Sequence, residues 1–145
     1  MKVNIDWSKL EDDTYEPKVN VTIDPPDIWD LSNTLAHVVV PALVAMRETK
    51  AGAPSVCNQD VPEELRSKDP EVWSVSGDLD EHWFDRWDYV LEEMIWAFEQ
   101  IRDHNDGFNV TFEKEIHYEP VGREWDERIQ NGLRLFAEYY RSLWT

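Results

Sequence analysis

The chain has 145 residues, with 14 Lys and Arg against 31 Asp and Glu, and a formal net charge of −17. That length suits one domain with a core that needs no disulfide or metal staple. The charge argues against direct binding to DNA, RNA or an anionic membrane, where Lys and Arg must neutralise phosphates. It leaves a basic protein partner, a cation, a neutral ligand, or solubility alone.

Eight Trp, five Tyr and five Phe supply a strongly aromatic interior. The single Cys57 cannot close an intrachain disulfide, as suits a reducing compartment. No apolar run of signal-peptide or bilayer-spanning length is present, so a cytosolic protein is expected.

In chain order, residues 1–17 carry Glu11, Asp12 and Asp13 and read as an acidic arm or edge element ahead of one domain, 18–145. Val19, Val21 and Ile23 alternate with Asn20 and Thr22, which predicts a strand over about 18–24, ended by Pro25 and Pro26. Asp30 or Ser32 then caps a helix over about 30–49, with Gly52 and Pro54 beyond its end. Leu31, Leu35, Val38, Val39, Ala42, Leu43 and Met46 fall on one arc of it, the expected core face. Pro41 removes one amide donor and frees the His37 carbonyl, so a kink or break is expected there. Residues 50–79 form a long polar connection with at most one turn in VPEELRS, the first place to look for a binding loop.

Two further helices are predicted over about 79–104 and 123–144. Between them Phe108, Val110 and Phe112 alternate with Asn109 and Thr111, which predicts a strand over about 108–118 that pairs with the first. The fold class is therefore α+β, mainly α: three principal helices with a small two-stranded β element.

The helix over 79–104 is divided. Trp83, Trp87, Val90, Leu91, Met94, Ala97, Phe98 and Ile101 share one broad arc, whereas Glu81, Asp85, Asp88, Glu92, Glu99 and Asp103 form a band opposite. Helical carboxylate metal sites need acids converging into a bundle or a dimer cleft, and these diverge from the core. Tyr89, Ile95 and Trp96 interrupt or flank the acidic band. An exposed aromatic rimmed by acids suits Arg or Lys of a partner, through ion pairs and cation–π contact. Tyr89, Ile95, Trp96, Asp85, Asp88, Glu92 and Glu99 are therefore the candidate partner-binding residues; cover by the long loop or the N-terminal arm is the competing explanation.

Other chemistry is thinly signalled. His37, His82, His104 and His117 form no metal-binding pair; His82 and Asp85 suit a local ion pair, and His104 a helix C-terminus. Cys57 has no base near it in sequence, and no phosphate-cradling or hydrolase-elbow motif occurs. Neither a catalytic residue, a metal site nor a cofactor is assigned. On the third helix Trp125, Ile129, Leu133, Phe136, Ala137, Tyr140 and Leu143 form the main apolar arc, while Leu135 and Tyr139 beside Arg128 form a second patch. Two such patches suit either a three-layer core or a homodimer surface.

The strings VNVTIDPPDIWDLSNTLAHVVVPALVAMRETKAGAPSV, DVPEELRS, RWDYVLEEMIWAFEQI and ERIQNGLRLFAEYYRSLW resemble a family of uncharacterised proteins encoded by tailed bacteriophages, over most of Val19 to Trp144. The resemblance implies a phage origin and expression in a bacterial cytoplasm; it brings no activity, cofactor or catalytic residue with it. The expected function is that of a phage accessory protein that binds a host or phage protein without catalysis. Mimicry of nucleic acid by the acidic band is a variant of it. A metal-dependent hydrolase with carboxylates at a subunit interface, and a virion structural or assembly component, are the alternatives.

Overall fold

Val3, Ile5 and Trp7 alternate with Lys2, Asn4, Asp6 and Ser8, and the computed structural model builds these residues into β1 (Lys2–Lys9). It describes residues 1–9, 15–67, 80–103 and 120–144. β1 pairs antiparallel with β2 (Tyr15–Thr22), in a register that sets Val3 against Val21, Ile5 against Val19 and Trp7 against Pro17. The expected strand over 18–24 therefore exists, but its partner is the N-terminal segment. Of the two readings of residues 1–17, arm or edge element, the described residues take the second, with 2–9 and 15–17 in a two-stranded sheet; the acidic cluster Glu11, Asp12 and Asp13 lies outside the described residues. The predicted strand over 108–118 lies outside the described residues.

After β2 the chain makes a 3-10 turn, Pro25–Ile28, and enters α1 (Leu31–Thr49). Asp30 caps α1, its carboxylate accepting from the Asn33 amide and the Ser32 hydroxyl. Pro41 breaks nothing: the helix is continuous through it, and both Pro41 and His37, whose carbonyl it frees, lie on the exposed side. The expected core arc of α1 is also rotated. Ala36, Val40 and Leu43 are buried, whereas Leu31, Leu35 and Val38 stay exposed at 43%, 45% and 43%. Residues 31–46 contain no Asp, Glu, Lys or Arg, so nothing in their composition marks which face turns inward.

α2 (Trp83–Asp103) is the middle layer, packed by α1 on one side and by α3 (Pro120–Tyr139) on the other. Trp87, Val90, Leu91, Met94 and Ala97 are fully buried in it. On α3 the buried residues are Ile129, Gly132, Leu135 and Tyr139. The predicted second patch, Leu135 with Tyr139, is thus the centre of the α3 core face, and Ala137 and Tyr140 face out. Gly132 sets that rotation. A Cβ at this position would lie 2.4 Å from Cβ of Ala97 and 2.7 Å from the carbonyl oxygen of Glu93, so the α2 and α3 backbones approach where no side chain intervenes. Trp87 meets the ring of Tyr139 at 5.8 Å, and Phe98 meets Phe136 edge-on at 5.0 Å.

Of the long polar connection expected over 50–79, residues 50–67 are a strap tied to the helices, and 68–79 lie outside the described residues. Val56 and Val61 enter the core, the Trp83 indole donates to the Ala53 carbonyl at 3.1 Å, and the Asn58 side chain bridges to Ser67 at 2.8 and 3.0 Å. Asn33 ties α1 to the last turn of α2, donating to the Ile101 and Arg102 carbonyls. Among the described residues no helix is long and apolar enough to cross a membrane.

Candidate functional site

Most of the acidic band on α2 turns out to serve the fold. Asp88 accepts from Lys50 at 2.5 Å and Glu92 lies 3.7 Å from Arg47, both cations at the C-terminal end of α1. Asp85 pairs with His82 at 3.0 Å, the local ion pair expected from their spacing, and Glu99 lies 3.9 Å from Arg102. Among the described residues no three His, Cys, Asp or Glu side chains gather as a metal site. Lys or Arg of the same chain therefore meets Asp88, Glu92 and Glu99, and the His82 imidazole meets Asp85.

The aromatic part of the candidate site is likewise used from within. Ile95 is buried, 6% exposed, which removes it from any surface. Trp96 is half-buried, and the Arg128 guanidinium from α3 lies 3.9 Å from its ring centroid. Arg128 is fixed there by both oxygens of the buried Glu93, at 2.7 and 3.0 Å, and that carboxylate holds the guanidinium still more firmly protonated than usual. The cation that Trp96 is shaped to accept is intramolecular. Tyr89 is half-buried beside the same pair, and burial pushes its phenol pKa up. Among the described residues, α3 supplies the side chain that lies over Trp96.

Two buried polar clusters escaped the sequence reading because their members are far apart in the chain. Asp60, 6% exposed, accepts from the Tyr139 hydroxyl at 2.7 Å and from Arg134 at 2.7 Å, while the Tyr139 oxygen accepts the Cys57 amide at 3.0 Å. This tie closes the strap onto α3. Arg86, 2% exposed, donates to both oxygens of Asp80 at 2.9 and 2.5 Å and to the Leu65 carbonyl at 3.0 Å. The Arg86 hydrogen bonds hold the Asp80 carboxyl below the ordinary range. A depressed carboxylate adds stability that is present above its unfolded pKa, about 4, and lost as pH falls through the folded value. Asp80→Asn should therefore flatten the acid limb of a stability profile below about pH 4, read from denaturant midpoints.

What the body of the molecule does expose lies elsewhere. Trp29 is 83% exposed, the most open large hydrophobic residue described, and it sits between Asp27 and Asp30 with Asp24 one turn earlier. The Asp27 carboxylate takes the N-terminal amine and the Asp24 amide, which keep it ionised well below the usual carboxylate range. The sequence suggested an exposed indole near acids at Trp96; in the structure the indole left open is Trp29, within the acidic string DPPDIWD. The signal was legible: a tryptophan between two acids, just after a double proline and outside any apolar period. Comparison of the chain with protein-family models, with curated proteins and with solved structures gave no match in any of the three.

Proposed function

We propose that the protein acts by binding another protein, without catalysis, and that it grips a basic segment of that partner with Trp29 and the carboxylates of Asp24, Asp27 and Asp30. The observation that carries this reading is the 83% exposure of an indole among three acids. A large ring left in water forgoes the burial of roughly 150–250 Å² that its size offers, and the ring face attracts Arg or Lys by about 0.5–2 kcal/mol. The chain's net charge of −17 steers a cationic partner toward this surface at low salt. The resemblance to a tailed-phage family makes the partner a host or phage protein met in the bacterial cytoplasm.

The candidates on α2 rank lower in this proposal, because Ile95 is buried and the ring of Trp96 already carries Arg128. Affinity capture from the lysate of a bacterial host separates the two surfaces. Trp29→Ala is expected to reduce capture of a specific partner about tenfold or more, as for an aromatic anchor, and Trp96→Ala to leave it unchanged. Capture lost with Trp96→Ala and kept with Trp29→Ala would return the site to α2.

A further inference from the structure

We draw no further inference here: the strongest candidate, the exposed apolar face of the β1–β2 hairpin formed by Val3, Ile5, Trp7, Val19 and Val21, carries nothing because nothing in the structure shows what covers it.

Discussion

Gly132→Ala is expected to lower the free energy of unfolding by about 2 kcal/mol or more, as for an overpacked core. In an open helix the same exchange adds up to about 1 kcal/mol, because alanine loses less backbone freedom on folding. The sign reverses here because the new methyl would lie 2.4 Å from Cβ of Ala97 and 2.7 Å from a backbone oxygen. Neither neighbour is the free end of a flexible side chain, so α2 and α3 must part. The cost spreads along the seam that holds Glu93 to Arg128 and Phe98 to Phe136. Gly122→Ala is the internal control: nothing lies within 4 Å of its added Cβ, and it should raise stability slightly. Urea denaturation of both variants checks the pair of signs, and two stabilised proteins would refute the close approach.

Tyr139→Phe is the second large effect. The ring packing against Trp87 survives, but the hydroxyl that joins the Cys57 amide to the buried Asp60 carboxylate is lost. Asp60 keeps one cation, Arg134, and the strap loses its tie to α3. A hydrogen bond to a buried charge contributes about 1.5–3 kcal/mol, so a loss of roughly 2–3 kcal/mol is expected. The variant also has a pH signature. Burial, and then donation to Asp60, raise the phenol pKa of Tyr139. A raised group contributes stability that is fully present below its unfolded pKa, about 10, and lost as pH rises through the folded value. Wild-type stability should fall above about pH 10 more steeply than that of Tyr139→Phe. Tyr89, whose phenol pKa burial also raises, contributes to the slope that remains. Equal alkaline slopes would show that Tyr139 does not carry its proton there.

Much of the architecture follows from periodicity. The core arc of α2 was readable because its apolar residues are interrupted by charges at helical spacing, and Trp87, Val90, Leu91 and Met94 are buried as expected. α1 was readable as a helix but not in its orientation, since an uncharged stretch gives a period without a polar side to anchor it. The buried acids and bases were out of reach: nothing local tells Asp60 that Tyr139 lies beside it, or Glu93 that Arg128 does. The spacing of Tyr89, Ile95 and Trp96 predicts surface positions only for a helix with one covered side. α2 has two, and its margins belong to the seams with α1 and α3. Ile95 and Trp96 are covered for that reason, and Trp29 is the most exposed large hydrophobic residue among those described.

Hydrogen–deuterium exchange of the protein with and without its captured partner tests the location of binding most directly. Slowed exchange is expected over residues 24–30, around Trp29, with the acidic side of α2 unchanged. Protection confined to α2 over residues 85–99, with none over 24–30, would contradict the account.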